Sequence, residues 1–286
     1  MGKKEALQTY YTNAVKRCLD VWSQLDEEDW ALKDPRGPWT ARDYLAHVAT
    51  AQEKIGNVAT AQAIAGQPVD IPGFRGRGDI HEFNQRNVEE LRHLSHREVL
   101  SRLQAAYEAH FEMLEPLSEE DIQKPASTPG LGRPGTLEDL FTIRYIHLPL
   151  HYQDIRRIVR PRRRLTHWAQ SITPDETLDG LQRSLAALAL YYWPERGAGL
   201  EASYLFDVRG EGGGQWTLEV ANGRATTRAG APERPDVTIR ITPGDLLDLQ
   251  TKDLNTTRAF VTGRVRITPL TKVPLVIRLK RLFEVT

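Results

Sequence analysis

Up to about residue 160, the apolar residues of this chain recur every three or four positions. From about residue 200 they alternate in short runs broken by Gly and Pro. One chain therefore carries two periods in series, helical first and strands second, and their segregation along the sequence points to two domains. In the first half, Leu7, Tyr11, Ala14, Cys18, Val21, Trp22 and Leu25 lie on one face of a first helix. A loop rich in Asp and Pro is expected from Asp26 to Pro38. Thr40 with Asp43 has capping-box spacing, and Trp39 with Tyr44 has that of a hydrophobic staple, so a second helix opens there and runs to about Ala65. A third helical region starts near Asp79, and Ser95 with Glu98 restarts the chain as another helix. A last helix opens at Thr136 and ends near Arg160-Pro161. Long helices joined by short to moderate loops predict an all-α four-helix bundle over residues 1–160.

Residues 161–174 read as a linker, and residues 175–286 as an α+β domain. One amphipathic helix is followed by five short strands, and Asn222-Gly223 is a strong two-residue hairpin signal. Helices are expected over 245–249, 256–261 and 274–283. The strand pattern predicts a five-stranded, mostly antiparallel sheet.

Charge narrows the functional classes. Lys and Arg number 38, equal to Asp and Glu, which speaks against a nucleic-acid binder. A hydrophobic fraction of 40% supports real cores rather than disorder. No run approaches the roughly 18 apolar residues of a membrane span. The single cysteine, Cys18, excludes a disulfide framework and reads as a core residue. A cytoplasmic protein is the expectation.

Three of the eight histidines stand out. His147 and His151 are four apart and point to one side of the last helix. His47 sits on the apolar side of the second. Three neutral imidazoles with a fourth position open is the layout of a reactive metal site. Such a pair also arises by chance, and a histidine on an apolar face is more often a hydrogen-bonded core residue, so spacing alone leaves both readings open. His81, His93, His96, His110 and His167 read as surface or loop residues, with only His110 near an apolar stripe. Asp154 and Asp43, each about one turn from a histidine, read either as groups that orient an imidazole or as exposed salt-bridge partners, the second role being favoured. The arginines at 156, 157, 160 and 162–164 read as a solvated helix end, favoured over a site for phosphate or an anionic membrane. Pro149 lies between the paired histidines, where it removes a helical hydrogen bond. No GxSxG or phosphate-loop motif is present.

WTARDYLAHVATAQE at 39–53, FNQRNVEEL at 83–91 and YIHLPLHYQD at 145–154 resemble the DinB-like, maleylpyruvate isomerase N-terminal type of four-helix bundle. The resemblance implies a divalent metal, zinc or nickel, bound by His47, His147 and His151. It also makes Asn84 and Arg86 candidates for substrate contact. Pro149 inside the HxxxH departs from the family pattern. FDVRGEGGGQWTLEVANGRA at 206–225, PDVTIRITPGDLLDL at 235–249 and FVTGRVRITP at 260–269 resemble the sterol-carrier-protein fold. The two together are similar to mycothiol-dependent maleylpyruvate isomerases and related thiol-dependent transferases. What this implies is a metal enzyme using a low-molecular-weight thiol on a small electrophilic substrate. The alternative is a lipid or sterol-like carrier with a structural or vestigial metal. Expected partners are a small-molecule substrate or apolar ligand and a second copy in a homodimer, with no nucleic acid and no membrane span.

Overall fold

The computed structural model describes residues 2–129, 131 and 134–283. The chain divides into two compact units, with the change at residues 166 to 167.

The first unit is helical. Helix α1 (Lys3–Trp22) buries Leu7, Tyr11, Ala14, Cys18 and Trp22, the stripe read from the sequence. The expected loop after it contains a short helix, α2 (Glu27–Ala31). Asp26 caps it, accepting from the Asp29 N–H at 2.9 Å. Asp29 is buried and takes Arg162 Nε on one oxygen at 2.9 Å and Arg163 Nε on the other at 2.8 Å. The two arginines are exposed, as a solvated helix end implies, and they also tether α2, whose Trp30 is buried.

Helix α3 (Ala41–Thr50) starts as expected. The Thr40 N–H donates to Asp43 Oδ2 at 3.0 Å, the Asp43 N–H donates to Thr40 Oγ1 at 3.1 Å, and Trp39 packs edge-on against Tyr44. The helix does not then continue as one α-helix. A π-helical segment, Ala51–Asn57, separates α3 from α4 (Val58–Ile64). Arg144 Nη1 donates to the Ala51 carbonyl at 3.1 Å, at the start of this wide turn. Gly56 gives the arginine room, because a Cβ there would lie 2.7 Å from Arg144 Cδ.

Helices α5 (Ile80–Glu90) and α6 (His96–Leu114) follow, then a two-residue strand pair, β1 (Pro125–Ala126) with β2 (Gly135–Thr136). Helix α7 (Leu137–Val159) runs unbroken through Pro149. Helices α1, α3, α6 and α7 pack on one another, and α5 lies against α3. His96, expected at the surface, is buried and stacks on Trp30 with ring centroids 6.1 Å apart.

In the second unit, one turn of helix, α8 (Trp168–Ser171), lies within the segment expected to be linker. Helix α9 (Pro174–Tyr191) precedes five strands: β3 (Ala202–Val208), β4 (Gly214–Ala221), β5 (Arg224–Ala229), β6 (Val237–Ile241) and β7 (Arg266–Thr268). Their spatial order is β5-β4-β3-β6-β7. The sheet is mixed, since β3 and β6 run parallel while the other three pairs are antiparallel. Asn222 and Gly223 turn the β4–β5 hairpin with φ of 52° and 69°, as that dipeptide predicts. Trp216, Phe206, Ile239 and Ile267 align across four strands on one face. That face is buried with Leu181, Leu185 and Leu279 in one continuous core. Helices α10 (Pro243–Gln250), α11 (Thr256–Val261) and α12 (Val273–Phe283) complete the unit. Phe260, on α11, is partly exposed.

Candidate metal centre

Helix α3 delivers His47 and helix α7 delivers His147 and His151. Their convergence follows from two local facts. The cap at Thr40 sets where α3 begins, and i, i+4 spacing puts both α7 histidines on the side that faces α3. His47 Nε2 lies 3.2 Å from His147 Nε2, and His151 Nε2 lies 2.9 Å from the same atom. One ligand atom from each falls within 4.8 Å of the others.

Hydrogen bonding among the imidazoles does not account for this cluster. His151 Nδ1 is 3.0 Å from Asp154 Oδ2. A carboxylate there fixes the Nδ1–H tautomer of a neutral imidazole and leaves Nε2 as a lone pair aimed inward. His147 has at most one proton at Nε2, and it cannot point at His151 and His47 together. Burial first of all lowers the His47 and His147 pKa values well below their ordinary value, and the Arg144 charge acts the same way on both. Neutral nitrogens meeting at one point suit a cation better than one another.

Behind His151 runs a chain of charge. Asp154 Oδ1 takes Arg157 Nη1 at 2.8 Å. Arg157 Nη2 donates to Asp34 Oδ2 at 2.8 Å, and the Tyr44 hydroxyl donates to the same oxygen at 2.8 Å. Burial opposes ionisation of Asp34, but the Arg36 N–H, Arg157 and Tyr44 together hold its pKa below the usual range. Burial and the Asp154 and Asp34 charges raise the Tyr44 pKa, so its hydroxyl stays protonated as a donor. Asp154 is therefore a partly buried orienting group and not the exposed partner expected from sequence. Its spacing of three from His151 was the available signal. Asp34 gave none, because it lies in a loop more than a hundred residues from Arg157.

Aromatic rings flank the cluster. Trp39 lies 5.2 Å from the His47 ring and Tyr44 lies 5.8 Å from that of His151, centroid to centroid. Trp39 Nε1 is held by Gln85 Oε1 at 2.9 Å. Asn84 and Arg86 flank that glutamine on α5. Arg86 is engaged elsewhere, with Glu82 at 2.7 Å and the Gly73 carbonyl at 3.0 Å. Asn84 is half-buried. Asp43 serves the α3 cap and meets Arg92 Nε at 3.3 Å rather than His47.

Residues 11–156 match the family model of the mycothiol maleylpyruvate isomerase N-terminal domain, and residues 193–268 match the SCP-2 sterol transfer family. Among solved structures, the mycothiol-dependent maleylpyruvate isomerase is 14% identical, with a TM-score of 0.54 over 86% of this chain and 87% of that one. A histidine-to-alanine mutant of that enzyme aligns over the same shares at 14% identity and a TM-score of 0.56. At this identity the likeness is one of fold. The sterol carrier protein domain 2 of Helicoverpa armigera is 24% identical over 37% of this chain and 84% of its own, with a TM-score of 0.32. No protein of curated function matches the sequence.

Proposed function

This chain belongs to the mycothiol maleylpyruvate isomerase N-terminal domain family, and from that premise we propose that it is a metal-dependent, thiol-using transferase or isomerase acting on a small electrophilic substrate. The helical unit is read as a four-helix bundle built on α1, α3 with α4, α6 and α7. The observation that carries the proposal is the meeting of His47, His147 and His151 Nε2 atoms at 2.9 and 3.2 Å. Three imidazole nitrogens around one tetrahedral ion sit about 3.3 Å apart; two of the three pairs are near that spacing and all three atoms lie within 4.8 Å, so the donor set suits a divalent cation, zinc or nickel. When bound, such an ion supplies a Lewis acid that makes a thiol or water more acidic.

The chain's own residues do the rest. Asp154 keeps the Nδ1 proton of His151 in place, so that Nε2 stays a ligand. Arg157 and Asp34 hold Asp154 from behind. Trp39 and Tyr44 provide flat apolar walls that restrict water near the imidazoles. A reducing cytoplasm suits both a free thiol cofactor and the buried, unpaired Cys18.

Elemental analysis and native mass spectrometry of the full chain test the proposal. About one zinc or nickel per chain is expected, falling by orders of magnitude in occupancy with His47→Ala. Full occupancy in both His47→Ala and His151→Ala would place the metal elsewhere. A second reading, a carrier of an apolar ligand, has the SCP-2 family match behind it. The side chains best placed to line a cavity, Trp216, Leu218, Ile239 and Leu279, are instead packed together in the core. Co-purified lipid in the same mass spectra, without metal, would favour the carrier.

A further inference from the structure

Residues 256–283 hold seven Lys and Arg and no Asp or Glu. They form the β7 edge of the sheet with the helices on either side of it, α11 before and α12 after. Between β7 and α12 comes one 3-10 turn, Leu270–Lys272.

Large apolar side chains on this stretch face solvent. Val261 is 77% exposed, Leu270 68% and Ile277 59%. The core does not need them. Helix α12 already buries Leu279 and Leu282 and turns Leu275 and Val276 against the core. On α12, Pro274, Ile277 and Arg281 follow at steps of three and four, which puts them on the opposite side, and Leu270 is exposed in the turn just before. Exposed cations are interspersed with them along the chain: Arg258, Arg266, Lys272, Arg278 and Arg281. Of the basic residues here, Arg264 is neutralised within the unit, by Asp245 and Asp248.

We infer that this face docks on an anionic lipid surface. Exposed aliphatic side chains interspersed with Lys and Arg, on a helix too short and too charged to span, have the composition of an interfacial helix. A self-paired interface would set these cations against their own copies, which disfavours it. Single-stranded nucleic acid is bound by aromatic platforms, whereas the exposed apolar residues here are mainly Val, Leu and Ile. Docking of this kind is peripheral, and no helix among the described residues is long and apolar enough to cross a membrane.

Vesicle co-sedimentation of the full chain is the test. Phosphatidylcholine vesicles with about 30% phosphatidylserine should carry the protein down, and pure phosphatidylcholine should not. The bound fraction should fall as salt rises toward about 0.5 M. The double variant Leu270→Asp/Ile277→Asp and the charge variant Arg266→Glu/Lys272→Glu should each lower partitioning at least about tenfold. All four positions are exposed, so melting temperature and metal content should stay as in the wild type. The inference is overturned if the wild type ignores anionic vesicles or binds both kinds equally. Retention of vesicle binding by both variants would also overturn it, as would a dimer that Leu270→Asp/Ile277→Asp converts to monomer. Capture by an oligonucleotide in place of vesicles would count against it in the same way.

Discussion

Asp154 holds the Nδ1–H of His151 at 3.0 Å and is itself held by Arg157. Asp154→Asn should keep the fold and lower metal affinity about 10–100-fold, the usual cost of removing a carboxylate behind a ligating histidine. Competition with a chelator measures it, and unchanged affinity would assign Asp154 to stability alone. His110 gives a second expectation at this scale. It is fully buried beside Phe141, and neither ring nitrogen has a hydrogen-bond partner among the described residues. Burial first, and the Arg144 charge second, lower its pKa from 6.5 to about 3. Below pH 6.5 the unfolded chain takes up a proton that the folded chain refuses until about pH 3. Stability from this group is therefore complete above pH 6.5 and is lost as pH falls toward 3, on the order of 5 kcal/mol in all. Urea melts of His110→Phe against wild type at several pH values should show the acid slope reduced in the variant; equal slopes would mean other groups govern it. Much at this scale is legible in sequence because it is local. Thr40 with Asp43 and Ser95 with Glu98 are both capping boxes as read. The histidine pair is legible for the same reason, but its meeting with His47 is tertiary: spacing offers it beside the core-histidine reading, and the family resemblance is what favours it. His96 was misread because nothing near it in sequence announces the Trp30 ring that covers it.

Elements defined by distant partners are the ones the sequence conceals. Helix α2 depends on Arg162 and Arg163, more than 130 residues away. Residues 51–57 have ordinary helical composition, and nothing in them announces the π turn. Its apparent cause is Arg144, which reaches across from α7 to the Ala51 carbonyl and lays its stem over Gly56. Gly56→Ala should therefore cost about 1–3 kcal/mol by overpacking. In an Arg144→Ala background the same change should be neutral or stabilising by about 0.5–1 kcal/mol, since Ala favours a helix over Gly. Equal cost in both backgrounds, from chemical denaturation of the four proteins, would remove Arg144 as the reason for the glycine. The hairpin at Asn222-Gly223 is the opposite case, legible because the turn's requirement for positive φ lies in the two residues themselves. The parallel pairing of β3 with β6 was not legible, since two strands and a loop separate them in sequence and alternation alone does not tell direction.

For the molecule as a whole, the change of period near residue 160 does foretell two units. Limited proteolysis should cut within 161–174, where Pro161, Arg162, Arg163 and Arg164 are all exposed. A fragment from Asp175 onward should melt cooperatively, because its sheet and helices close around a core of their own. An insoluble or non-cooperative fragment would mean that the second unit is not autonomous and would count against two independent cores. One last consequence follows from the run of cations at 256–283. The chain has no net charge, yet residues 256–283 of the second unit carry seven cations and no carboxylate of their own, with only Arg264 paired to carboxylates of a neighbouring helix. Such a unit behaves as an electric dipole, which a charged surface orients before contact is made. A neutral protein is ordinarily expected to pass through an ion exchanger, but this one should be retained at pH 7 by a cation exchanger and released by modest salt.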